Sequence, residues 1–197
     1  MTAQMVCNIV KDAWVDANEI LKLIEILETG YTPVAVAAIK AAGTDDVVQC
    51  IYRALWSRLV MIVTRAYADA RCPGDRHAQY AFDLLEDPAV RSEIEKKGDR
   101  AILDEAIKLW AKCRGDHRRQ SIDRFRHKQI AHWGILKNRK PIINDVLAVS
   151  RATASALERL AQGTGVGVAL TLESQRVVYQ DKAKRFWAPH SIADASV

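Results

Sequence analysis

Apolar residues recur at three- and four-residue steps along most of the chain, and the pattern predicts helices. Ile20, Leu21, Ile24 and Leu27 share one face, and Gly30 stops that first segment. Thr32 and Pro33 suit the cap and first position of a short helix ending at Gly43. Thr44, Asp45 and Asp46 open a longer helix running to about Ala70, with a hydroxyl for the cap and carboxylates in the first turn. Val48, Tyr52, Leu55, Leu59, Ile62 and Ala66 form one stripe there, widened by Trp56, Val60, Val63 and Tyr67. This reads as the central, most buried helix. Arg58 and Arg65 border its stripe and need acidic partners or solvent; Asp69 stands four residues after Arg65.

Residues 71–75 read as a loop, His77–Leu85 as a short helix, and Ala89–Lys97 as another after the break at Asp87-Pro88. Asp99 caps a helix with Ile102, Leu103, Ala106, Ile107 and Trp110 inward, and Gly115-Asp116 is a break or kink. A helix from about His117 to Trp133 follows, then a last long one from Ile142 to Ala161. Gly163-Thr164-Gly165-Val166-Gly167 ends it; no Lys-Ser/Thr follows as a phosphate loop requires. The tail has β character at 168–172 and 177–179 and helical character at 181–187, and its final ten residues read as mobile. The expectation is an all-α chain with short N-terminal helices (residues 1–43), a helical bundle (44–162) and a less regular C-terminal extension (163–197).

With 49% of its 197 residues hydrophobic, the chain can build a substantial core. No stretch reads as approaching the roughly 20 apolar residues of a membrane span, and no signal peptide is apparent. Cys7, Cys50, Cys72 and Cys113 are scattered without C-x-x-C or zinc-ligand spacing, which points to buried or free thiols in a reducing cytoplasm, with no metal or other cofactor expected.

The net charge of +5 is unevenly placed. Residues 108–140 hold eleven Lys/Arg against Asp116 and Asp123, a local excess of +9. Such a field attracts polyanions such as nucleic acid, and a solvated helix face carries the same composition.

Within that segment Ile122, Phe125, Arg126, Gln129, Ile130 and Trp133 fall on one helical face. A guanidinium on an apolar stripe is costly unless paired. Arg126 therefore either meets a carboxylate from another helix or lies in a groove ready for a phosphate. His132 follows six positions on, about 9 Å along a straight helix and about 120° around it. The two converge only if the arginine reaches round, the helix ends near His132, or a second copy of the chain completes the site. Their chemistry suits RNA. An imidazole can take the proton of a ribose 2′-hydroxyl or give one to the leaving 5′-oxygen. An arginine can hold the phosphate through two N–H groups.

The run Arg126-His127-Lys128-Gln129-Ile130-Ala131-His132 resembles the R-x(4–6)-H motif of the HEPN superfamily, and its local form is similar to the abortive-infection branch related to AbiU proteins. The stretch Leu55–Asp69, with Trp56, Arg65 and Asp69, resembles that branch's central helix. The resemblance spans roughly Asp45–Leu160. It implies an up-and-down bundle of HEPN type, a homodimer through the motif helices, and a metal-independent endoribonuclease acting as a toxin or phage-defence effector, with an antitoxin protein as a possible partner. Arg126 and His132 would be catalytic, and His127 would occupy the auxiliary polar position, where the superfamily often has asparagine or aspartate. Arg124 and Lys128 are the neighbouring cations for the RNA backbone.

The other reading is a non-catalytic helical module that binds nucleic acid or protein, such as a DNA-binding regulator using the basic stripe. The short turn before a recognition helix is not evident. Trp56 and Trp110 read as core. Trp133 and Trp187 can stack on bases, with packing the simpler role.

Overall fold

The computed structural model describes residues 2–69, 76–127, 142–167 and 170–188. Among these the chain is all-helical, without strands. The helices in order are α1 (Thr2–Gly30), α2 (Pro33–Ala41), α3 (Asp45–Ala66), α4 (Ala78–Leu84), α5 (Pro88–Glu95), α6 (Arg100–Gly115), α7 (His117–Phe125), α8 (Ile143–Gly163) and α9 (Leu172–Trp187). The expected loop at 71–75 and all but Ala188 of the expected mobile end fall outside the described residues.

The centre of the bundle is α1, which corrects two expectations. The N-terminal segment is not a set of short helices, because α1 runs for 29 residues. Nor is α3 the most buried helix. Val6, Ile9, Val10, Ala13, Ala17, Ile20, Ile24 and Leu27 of α1 form an almost unbroken seam, each no more than 3% exposed. That seam packs against α8, α9, α3 and α4. One hydrophobic core runs from Ala3 to Trp187, so residues of the first 43 and of α9 share it with those between.

Helix α3 is buried along one side only. Two of its arginines pair back to α1: Arg58 donates to Glu19, and Arg65 to Asp16 rather than to Asp69. At 22 residues α3 is long and apolar enough to cross a membrane by length and composition, contrary to the sequence expectation. In this fold it lies on the bundle with these two ion pairs exposed at its edge.

The C-terminal extension is also more regular than expected. Helix α9 starts at Thr171, whose hydroxyl accepts from Ser174 N–H, and runs through Trp187. The β character read at 177–179 rested on Val177 and Val178, which are exposed and carry no packing information; of the stretch 168–172, residues 168–169 lie outside the described residues. Helix α9 is held by polar contacts: Arg176 Nε reaches the buried carboxylate of Glu25 on α1, Leu172 N–H donates to Glu158, and Trp187 Nε1–H donates to the Ile26 carbonyl at 2.8 Å.

Glycines permit the closest approaches. A Cβ on Gly163, at the end of α8, would lie 2.6 Å from the Leu103 backbone nitrogen on α6. A Cβ on Gly98 would lie 2.1 Å from the Gly163 carbonyl oxygen, which accepts from Asp99 N–H. Side-chain caps form at Thr32, Asp87, Asp99 and Asp116. The expected cap at Thr44 does not: its hydroxyl makes no cap bond, and Asp46 bonds the neighbouring Val47 N–H instead.

Candidate nucleic-acid interface

Gly115-Asp116 is a true break. Asp116 caps α7, accepting from the Arg118 backbone and side chain. These bonds hold its carboxyl below the ordinary aspartate value. Ile122 is fully buried, as its place on the stripe predicts, and fastens α7 to the bundle.

One turn earlier, Arg119 pairs with Asp123 and lies 5.0 Å over the ring of Tyr67. Tyr67 is itself stacked on Trp110 and hydrogen-bonded to Thr153 at 2.8 Å. Burial pushes the Asp123 carboxyl up, and the charges of Arg119 and then Arg126 oppose that rise. Two of the basic residues in the stripe thus have their charge matched locally. Lys108, Lys112, Arg114 and Arg124 are exposed on the same stretch.

The α-helical part of the motif helix runs to Phe125, and Arg126 and His127 take a wider π-type turn; the rest of the helix expected to Trp133 lies outside the described residues. Arg126 is half-buried. Its Nε is shielded from solvent and has no hydrogen-bond partner among the described residues. The carboxylate that would make it an ordinary structural pair is Asp123, which bonds Arg119. His127 is exposed. Lys128, His132 and Trp133 lie outside the described residues. Trp187 is core, stacked on Tyr52 at 5.1 Å.

Beside Phe125 is a groove of about 250 Å³, lined by Tyr31, Gln49, Tyr52, Arg53 and Trp56 and closed by Ile143 at the start of α8. Tyr31 stacks on Tyr52 with centroids 4.7 Å apart and planes within 9° of parallel. Gly30 allows this, since a Cβ there would meet the Tyr52 hydroxyl at 2.4 Å. Burial pushes the Tyr52 phenol up to about 12 and raises that of Tyr31, so both rings are neutral at physiological pH. The sequence reading missed this wall and placed Trp56 in the core. The available signal was the spacing of Gln49, Tyr52, Arg53 and Trp56, which sets two polar side chains on the same face as two rings.

A larger cleft of about 660 Å³ between α4–α5 and α6 has an apolar floor of Phe82, Leu85, Ile107 and Trp110. Arg91 at its edge is spent on Glu95 and Asp104. Among the described residues no three His, Cys, Asp or Glu side chains converge as a metal-binding set. No protein-family model, curated protein or solved structure matches this chain, so its reading rests on its own residues.

Proposed function

We propose that the chain is a cytoplasmic, metal-independent endoribonuclease of HEPN type, acting as a toxin or phage-defence effector. The observation that carries this reading is Arg126: a half-buried guanidinium whose Nε lacks a hydrogen-bond partner among the described residues, at a widened turn beside a basic surface. A half-buried guanidinium with part of its donor capacity unused can turn to a phosphate.

In the proposed reaction the ribose 2′-oxygen attacks the adjoining phosphorus and the bond from phosphorus to the 5′-oxygen breaks. The 2′-hydroxyl proton passes to a base, and the leaving oxygen takes up a proton. His132 serves as the proton-transfer group, Arg126 holds the non-bridging oxygens, and His127 supplies an auxiliary polar contact. Arg124 and Lys128 follow the strand. The products are a 2′,3′-cyclic phosphate and a 5′-hydroxyl. Pairing of two motif helices in a homodimer would place two Arg126/His132 pairs in one cleft, and an antitoxin protein covering that cleft would silence it.

The test is cleavage of mixed cellular RNA in EDTA by wild type, Arg126→Ala and His132→Ala. Cyclic phosphate ends from wild type and none from either folded variant support the reading; an inert wild type overturns it. The exposed Lys108, Lys112, Arg114 and Arg124 favour one second reading, a non-catalytic nucleic-acid-binding module. That reading predicts equal RNA binding by all three proteins with no cleavage.

A further inference from the structure

We propose that the groove beside Phe125 is a base-binding subsite for single-stranded RNA, in which one unpaired nucleobase lodges among Tyr31, Trp56 and Phe125, Gln49 bonds its edge, and Arg53 holds an adjoining phosphate. The inference deepens the ribonuclease reading, because it places the nucleotide next to the one whose phosphate meets Arg126.

The lining selects this occupant over an apolar side chain from a protein. It combines flat rings with a cation and an amide, and among the described residues it contains no carboxylate. Gln49 and Arg53 are exposed and have no hydrogen-bond or ion-pair partner among the described residues, so both can turn to a ligand. A purely apolar guest would leave them unanswered, whereas a nucleotide offers an edge with donors and acceptors and a phosphate. At about 250 Å³ the groove falls below the roughly 300–1,000 Å³ typical of drug-sized ligands, which fits a single base.

The wall is also built in advance. Tyr31 is backed by Tyr52, and Tyr52 by Trp187, in a continuous stack of three rings. Trp187 is tied to the α1 backbone through its indole N–H. A base entering the groove therefore meets rings that are already ordered, which lowers the entropic cost of stacking. Phe125 of the groove and Arg126 are consecutive in the chain, and the proposed strand runs from one to the other. Duplex RNA, whose bases are paired and stacked within the helix, cannot offer this contact.

The test uses the full chain as His132→Ala, so that the proposed chemistry does not consume the probe, with a labelled short single-stranded RNA in EDTA. Trp56→Ala should weaken binding about tenfold, the range expected for loss of one base–ring stack, with an unchanged salt dependence. Trp56→Phe should recover most of it. Arg53→Gln should lower the slope of log affinity against log salt by about 0.7, as for one phosphate contact on a single strand. Abasic RNA should bind the parent protein as weakly as intact RNA binds Trp56→Ala, and should show no further loss with that variant. Circular dichroism melts confirm that each protein is folded.

The proposal is overturned if abasic and intact RNA bind the parent alike, or if folded Trp56→Ala binds as the parent does. It is equally overturned if Trp56→Ala alters only self-association in sedimentation, since the groove is then a protein contact. Cleavage separates the two readings: a wild type that cuts RNA without base-dependent binding keeps the nuclease and loses the groove. Base-dependent binding with no cleavage by wild type keeps the groove and loses the nuclease.

Discussion

Replacing Arg126 with methionine should make the protein more stable while abolishing the proposed cleavage of RNA. Methionine keeps an unbranched apolar stem in the same space and removes the guanidinium. The gain comes from Nε, a shielded donor without a hydrogen-bond partner among the described residues. Relieving such a group is worth about 1–3 kcal/mol. The loss is the attraction of Arg126 for Asp123, a residue more than a third exposed whose stronger partner is Arg119. For a pair so screened the attraction is about 1 kcal/mol or less. The balance is a gain of about 0–3 kcal/mol, or a melting temperature higher by up to roughly 12 °C at about 2–4 °C per kcal/mol for a domain of this size.

The sign also depends on pH. Burial holds the Asp123 pKa above 3.8, and Arg126 draws it down, so Arg126→Met raises it further. Below 3.8 Asp123 is protonated in both proteins and the attraction is absent from both. The advantage of methionine is therefore largest in acid and shrinks as pH rises through the raised Asp123 value. Paired melts at pH 4 and pH 7, with an RNA-cleavage assay beside them, read all three quantities. A melting temperature lower by more than about 3 °C at pH 7 would refute the reasoning, because Arg126 would then be a structural ion pair.

Gly163→Ala drives a Cβ to within 2.6 Å of the α6 backbone, which cannot give as a side chain does. The added crowding should cost about 1–3 kcal/mol, read as a lower urea midpoint with unchanged slope. Asp116→Ala removes the α7 cap at a cost of about 1 kcal/mol, and Asp116→Asn keeps most of it. Because contacts with Arg118 depress the Asp116 pKa, its charge-dependent stabilisation is complete above 3.8 and lost as pH falls through the depressed value. Urea melts of wild type and Asp116→Asn should accordingly differ at pH 6 and converge in strong acid.

The helices were legible where a local feature settles them. Thr32 with Pro33 and Asp99 announced their helix starts, and Asp116 marked a break, because a short oxygen-bearing side chain bonds the first free N–H groups of its own turn. Ranking α3 above α1 failed for a tertiary reason. Both carry apolar stripes, and only the assembled bundle decides which is enclosed. Arg65 shows the same limit: Asp69 is near in sequence, but Asp16, 49 positions away, is where the packed helix points it. At the candidate site Arg126 stood out as a charge on an apolar stripe. The groove did not, since Gln49 and Arg53 are ordinary helix-surface residues until Tyr31 arrives from the turn after α1 and Phe125 from α7.

The central place of α1 also bears on how the protein is made. The seam from Val6 to Leu27 is covered chiefly by α8 and α9, helices that leave the ribosome long after it. During synthesis α1 must wait, its apolar face uncovered, while more than a hundred residues are added before those partners arrive. The rings behind the groove share the delay, since Trp187 closes on Tyr52 and Ile26 only when α9 docks. The proposed RNA-binding surface, completed last, would leave the nascent chain inert beside the ribosomal RNA that surrounds it.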